Sequence, residues 1–546
     1  MDDFLLSVGR MHLHRPLTAL ISFGLLLGCG TTPDDVASNE PSAPPSGSSV
    51  DAGTPEDTSP MPSSGSDAGS GGAAGAGGAA GGPGTPLPKL APAKNLAMSE
   101  IAVFQGVKVP IMKAGQEHDP SKSVHPVAGR AGFVRVYVEP QSGFTPQTVT
   151  ARLTLTRPGA APTSIEATLY VDEASEESNL DSTLNVPFPA GAVETDTSYS
   201  VELLTPPEQV NGSVTGARFP STGELPLHAW DTGSVFKVKL VPVLNNGKLP
   251  ELGAAQLELY RQELQAMYPV RKVELTVREA YDYPGTVYAG GSGISSLLTA
   301  VTNLRQKDGA PDDVYYYGAF RATETYSGYC SGGCTTGICH LVGSSTDTYS
   351  RACVGVGYKG SSAAGTMAHE LGHAHGLPHA PCGSVAGPDS SFPYTGGKIG
   401  AWGWDSRDDT LVEPATRDFM SYCNPSWISD YNFDRLLHRM NKVANQTASD
   451  TGAGSEQASE WQTAEVLSDG TLVWSDVVTL RRAPDAEPRA VVFERAGRDT
   501  GKAVAQFYPL ADRPGGTLLV PKRAEPWDAV RVADLAGRTV RAPAAP

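Results

Sequence analysis

The sequence has too little positive charge to grip nucleic acid. Lys and Arg number 42 against 59 Asp and Glu, a net charge of −17 over 546 residues, so the basic footprint that a phosphate backbone requires is missing. Near the N-terminus the apolar run LTALISFGLLLG, residues 17–28, falls short of the roughly 20 residues that a membrane-spanning helix needs. From 30 to 96 large apolar side chains are almost absent, and Gly, Ala, Ser, Pro and Asp fill the stretch. Such a segment buries too little surface to offset its chain entropy and is expected to be a disordered spacer. Cysteine is scarce, seven in all, and CSGGCTTGIC lacks the two Cys-x2-Cys pairs of a structural zinc site. No internal repeat stands out.

What is present begins at the N-terminus. Arg10 and Arg15 precede the apolar run, an arrangement that suits an export signal. The run ends in LLGC, with the cysteine at 29. This resembles a bacterial lipoprotein box, in which 1–28 is a signal peptide, Cys29 carries the lipid, and 29–96 is the tether. The implied location is the cell envelope, at the outer surface or in the periplasm, with the membrane as partner through the lipid. Asp2 and Asp3 are foreign to a basic leader, which makes Met11 an alternative start. An ordinary cleaved signal with an incidental Cys29 is the alternative to the lipoprotein. The remaining cysteines are Cys330, Cys334, Cys339, Cys353, Cys382 and Cys423. An even count in an exported chain favours disulfides, and the sequence does not choose the pairing.

The length exceeds one compact core, so several domains are expected. Over 97–232, AGFVRVYVEP (131–140), TVTARLTLTR (148–157), SIEATLYVD (164–172) and SYSVELLTP (198–206) alternate apolar and polar residues between Pro and Gly punctuation. That pattern predicts a β-sandwich, serving as spacer, binding module or lid. Over 233–446 strands alternate with helices: strands at 235–244, 272–277, 312–320 and 351–358, and helices at 251–268 and 292–306. The first helix presents Leu257, Leu259, Tyr260, Leu264 and Met267 largely on one face, and a Ser is available to cap the second. The order predicts an α/β domain with crossover helices. Residues 447–460 read as a linker, and short strands beyond them as a small C-terminal β-domain, giving 447–546 as the last unit.

Four of the chain's 11 histidines fall in HELGHAHGLPH, residues 369–379. The segment SSAAGTMAHELGHAHG reads as a helix, capped by Ser361 or Ser362, with Ala364, Met367, Leu371 and Ala374 as its apolar stripe. Gly376 can end it in a left-handed conformation and Pro378 prevents its continuation. His369 and His373 are one turn apart and differ by about 40° in direction, so both imidazoles can meet one ion. Glu370 lies beside that face, within reach of a water at the ion. This spacing is the one at which His-Glu-x-x-His holds zinc. His375 is turned about 200° from His373 and is expected to be a packing or surface residue. His379 follows the Gly376 turn and is expected as the third ligand. The rival third ligand is Glu413, the one Glu between 371 and 455.

The full His-Glu-x-x-His-x-x-Gly-x-x-His motif resembles the metzincin clan of zinc endopeptidases, which pair it with a methionine turn beneath the metal. RDFMSYCNPSW supplies Met420 for that turn. The resemblance implies one catalytic Zn2+ on His369, His373 and His379, a protein or peptide substrate, and hydrolysis with Glu370 as general base. Tyr422, two after Met420, corresponds to a tyrosine that binds zinc or stabilises the oxyanion in some branches; a buried core Tyr is the alternative. It further implies that 351–358 is an edge strand pairing with extended substrate, that Cys382 bonds Cys423, and that SWISDYNFDRLLHRM is the last helix of the domain. Reprolysin-like and dictomallein-like branches both fit, and no cysteine-switch propeptide is recognisable. Calcium is a further candidate ion at DSRDDT, 405–410. The competing reading is a surface-anchored binding protein or adhesin whose zinc site is not catalytic.

Overall fold

The computed structural model describes residues 89–545, except 208–210, 234 and 451–457, and the side chains of 447–450. The expected signal peptide, Cys29 and most of the tether lie outside the described residues. The described chain is mostly β, with a few helices, and the described residues belong to one compact unit.

The alternating segments between 131 and 206 are strands within a residue of where the pattern puts them: Gly132–Pro140, Gln147–Thr156, Thr163–Val171 and Ser198–Thr205. They distribute over two antiparallel sheets, the first pairing as early as Ala91 with Thr205. Val149, Leu153 and Val201 of one sheet and Ile101, Val134 and Val136 of the other are all buried in one core. The period of two puts these residues on inward faces. The reverse face of the second sheet is covered too. There Phe133 meets Trp404 edge-on at 5.0 Å, within a cluster that also holds Phe104, Tyr137 and Leu411.

The mixed sheet that follows has the order Lys272–Val277, Val235–Leu244, Val314–Phe320, Ala352–Val356, Gly337–Cys339. The first four strands are parallel and the last is antiparallel. Tyr315 and Tyr317 face helices Ala254–Met267 and Ser361–Ala374, whereas Tyr316 and Phe320 face helix Ile294–Lys307. A strand buried on both faces reads as a continuous apolar run, which is what VYYYGAF is. In the first helix Leu259 turns out to be exposed. It lies off the row of Leu257, Tyr260, Leu264 and Met267, whose spacing of three to four residues keeps them on one side. The second helix begins at Gly293 with φ of +87°, not on a serine. A Cβ there would meet the Thr286 carbonyl oxygen at 2.3 Å.

Two expectations change. The segment 351–358 is not the sheet edge. Its core, Ala352–Val356, is interior, because Gly337–Cys339 folds back beside it and the pair Cys339 and Cys353 is joined by a disulfide. The N-terminal sheets do not read as a lid, because their core runs without a break into the motif helix and helix Asp430–Asp450. Arg130 sits at that junction. It is fully buried, and its guanidinium donates to the carbonyls of Gln265, Ala266 and Tyr268 at the end of the first helix, where oxygens lack intrahelical partners. Burial lowers its pKa to about 9.

The C-terminal residues form one antiparallel sheet of seven strands. Its first strand in the chain is Ser459–Val466 and its last two are Ala529–Leu535 and Arg538–Pro543. The sheet packs on helix Ile294–Lys307 and the loop after Cys339. Thr517 Oγ1 lies 3.1 Å from Thr299 Oγ1 and 2.9 Å from His340 Nε2. Val342, Tyr349, Val478, Leu480, Tyr508 and Leu519 make a joint apolar cluster.

Candidate metal centre

The motif forms helix Ser361–Ala374, with Gly360 at its N-cap; Ser361 and Ser362 are its first two residues. Ala364, Met367 and Leu371 are buried as the stripe requires. His369 and His373, one turn apart, bring their Nε2 atoms to 3.1 Å. The helix ends at Ala374, and Gly376 turns with φ of +82°, a conformation Gly adopts without Cβ strain. The reversal carries His379 under the pair, its ring 4.6 Å from that of His373 and 5.4 Å from that of His369.

The tautomers follow from the outer contacts. Nδ1 of His369 is 2.8 Å from the Phe419 carbonyl oxygen, that of His373 is 2.7 Å from Leu377 O, and that of His379 is 2.7 Å from Ala386 O. A carbonyl only accepts, so each Nδ1 carries the proton. Three Nε2 lone pairs then converge with no proton between them. A cation resolves that repulsion, and this donor set with backbone carbonyls behind it is the arrangement in which imidazoles ligate zinc. Burial lowers the pKa of His369 and takes that of His373 down to about 3, which keeps these two imidazoles neutral. The residues present therefore fit the ion that the motif implies.

Glu370 is 3 % exposed and its Oε2 has no hydrogen-bond partner in the protein. Burial first, and then the neighbouring Asp512 carboxylate, push its pKa well above the usual carboxylate range. The carboxylate rests on the edge strand: a Cβ at Gly337 would stand 2.5 Å from Glu370 Oε1. Gly337→Ala is accordingly expected to displace Glu370 and to lower hydrolysis by about 10²-fold, the scale of a misplaced catalytic group, while bound zinc by elemental analysis is unchanged. Loss of zinc in step with activity would assign Gly337 a merely structural part.

Met420 is fully buried under the motif helix, and a Cβ at Gly372 would meet its Sδ at 2.4 Å. The turn is held by Asp418, whose buried carboxylate accepts from Met420 N, Ser429 N and Asn432 Nδ2 at 2.8 to 2.9 Å. The Cys382–Cys423 disulfide ties the segment after His379 to this turn, and Cys330 pairs with Cys334. Tyr422 is half-exposed, its ring 5.0 Å from that of His379, so it is not a buried core residue. His375 points away from the cluster. Its ring stacks on Tyr315 at 4.4 Å and its Nδ1 donates to Leu371 O.

Glu413 is exposed and starts a turn closed by Thr416 N; it is not with the histidines. In DSRDDT, Asp405 accepts from Arg407, Asp408 from Thr410 and Asp409 from Trp404 Nε1. Among the described residues the one group of three or more potential ligands is His369, His373, His379 and Asp512, their ligand atoms all within 4.8 Å of one another.

Asp512 was not foreseen. It lies 133 residues beyond His379, in the turn of a hairpin whose strands are Arg498–Pro509 and Gly516–Pro521. Its Oδ1 is 3.1 Å from His379 Nε2, 3.9 Å from His373 Nε2, and accepts from the Tyr422 hydroxyl at 2.7 Å. In the sequence DRPGG reads as a turn and carries no sign of a ligand. Gly337, Gly372 and Asp418 also escaped notice, since each matters through a partner distant along the chain or through close approach.

No curated protein matches the chain at a significant level. The segment that holds the three histidines, Glu370 and the Met420 turn lies within residues 317–461, and those residues match the profile of Peptidase M66, a family of zinc metallopeptidases.

Proposed function

We propose that the chain is a zinc-dependent endopeptidase of the metzincin type that hydrolyses peptide bonds of extracellular or surface proteins. His369, His373 and His379 hold the ion and Glu370 is the general base. The observation that carries this reading is the convergence of three Nε2 lone pairs, each fixed by a carbonyl behind its ring, beside a buried carboxylate. The family match over the same segment supports the peptidase class.

When bound, zinc supplies Lewis acidity toward a water and the scissile carbonyl. The rest is the work of the protein. Glu370 has a raised proton affinity, takes a proton from the attacking water and passes it to the leaving amine. Tyr422, half-exposed beside His379, is placed to donate from its hydroxyl to the developing oxyanion. The outer side of Gly337–Cys339 offers main-chain groups to an extended peptide, a case of strand addition. In this reading residues 97–232 are the support of the catalytic unit. Cys29 and the tether after it hold the enzyme at the cell envelope.

A second reading, a surface-anchored binding protein with a non-catalytic zinc, draws on Asp512, because four protein ligands are the mark of a structural site. The two part in one assay. Zinc-loaded protein is expected to release peptides from unfolded casein, to stop on addition of a chelator, and to resume on return of zinc. Absence of release from both the native protein and Asp512→Ala would discard the peptidase reading.

A further inference from the structure

Asp512 brings a fourth ligand atom to the three imidazoles. Its side chain is 9 % exposed, and Oδ2 has no hydrogen-bond partner. Oδ1 faces His379 Nε2 at 3.1 Å and His373 Nε2 at 3.9 Å, while the Nδ1 of each of these rings is committed to a backbone carbonyl on the far side. Oδ1 also accepts from the Tyr422 hydroxyl. A buried carboxylate is costly unless it is paired or coordinates a metal, and a divalent cation at the centre of the four atoms meets that need. Four ligands at about 2.0 to 2.1 Å from one tetrahedral ion lie about 3.4 Å from one another. Three of the six separations are 3.1, 3.1 and 3.9 Å, and all six lie within 4.8 Å, so small side-chain shifts bring the four atoms onto one ion.

The chain around Asp512 completes the picture. His340 and Leu510 form an antiparallel bridge, Leu341 N donates to Pro509 O, and Ala511 N donates to Cys339 O, both at 3.0 Å. Residues 509–511 thus pair with Cys339–Leu341, at the end of the edge strand Gly337–Cys339 and just beyond it. This is the position an added peptide strand would take, and the next residue reaches the histidines.

We propose that Asp512 is a fourth ligand of the ion held by His369, His373 and His379, and that the hairpin tip 510–515 occupies the substrate edge, so that the C-terminal sheet keeps the centre closed. The ligand assignment stands on the contacts above. The closure rests on the peptidase reading. Thr517, Tyr508 and Leu519 anchor the sheet on either side of the tip, so opening in this proposal is a movement of residues 510–515.

The test uses the full chain as native protein, Asp512→Ala, Asp512→Asn and Ala511→Pro, the last of which removes the donor to Cys339 O. Each is loaded with Co2+ as a spectroscopic probe and titrated with acetohydroxamate, and each is loaded with zinc and assayed for peptide release. Asp512→Ala and Asp512→Asn are expected to change the visible Co2+ spectrum. All three variants are expected to bind the hydroxamate and release peptides about tenfold better or more, as for a site open only a small fraction of the time in the native chain. An unchanged spectrum and unchanged hydroxamate affinity in Asp512→Ala would overturn the ligand assignment. Peptide release by the native chain equal to that of every variant would overturn the closure and leave the peptidase reading intact. Tighter hydroxamate binding with no release from any variant would uphold Asp512 as the ligand and remove the peptidase reading.

Discussion

Glu370→Gln is expected to keep its zinc and to lose hydrolysis by about 10²- to 10⁴-fold, the range for removal of a general base. Gln has the shape of Glu but no site for the transferred proton at catalytic pH. The substitution should be well tolerated by the fold. Glu370 is buried, its Oε2 is unpartnered and its proton affinity is raised, so the native carboxylate carries a desolvation cost that a neutral amide avoids. Three measurements on one preparation check this: zinc by elemental analysis, the thermal unfolding midpoint, and kcat/KM on a casein-derived peptide. They should be repeated in the Asp512→Ala background, where the tip no longer limits access. Cleavage at the unmodified rate with full zinc would exclude Glu370 as the base. Loss of zinc together with activity would mean that the side chain supports the ligands instead.

His379→Ala is expected to lose zinc, and His375→Ala to retain it, although the two positions are four apart in one motif. Removing His379 leaves two imidazoles and Asp512, and it also takes away the imidazole that faces Asp512 Oδ1 at 3.1 Å. Stoichiometry should fall well below one ion per chain after dialysis against a weak chelator. His375 makes no contact with the cluster. Its ring fills space between Tyr315, Phe236 and Tyr268, so truncation leaves a cavity costing about 3 kcal/mol, by analogy with other buried rings. The expected pattern is therefore crossed: His375→Ala unfolds earlier with its metal, and His379→Ala is metal-poor. Equal zinc in the two variants would contradict the ligand set.

The part of the centre that was legible in the sequence is the part built by local geometry. The four-residue spacing of His369 and His373, the stop at Gly376 and the return of His379 all lie within eleven residues, and the helical repeat places them with little help from the rest of the chain. The strands at 132–140 and 147–156 were legible from their side-chain period of two, and 314–320 from its continuous apolar run. Met420 was found through a family pattern, and its role became physical only when its sulfur came to rest under Gly372.

What stayed hidden depends on which segments meet. The strand at 352–356 reads as well for an edge as for an interior position, and it is the folding back of 337–339 that decides. The alternation in 97–232 does not say whether those sheets stand apart or share a core with the motif helix. Asp512 is the sharpest case. By itself the sequence determined a helix that presents two imidazoles, a turn that returns a third, and a carboxylate beside them. Only the tertiary structure decided that a hairpin tip 133 residues beyond His379 meets that cluster. Periodicity constrains neighbours along the chain, whereas a contact of that separation is set by the docking of the C-terminal sheet on helix 294–307, through a surface shared by both.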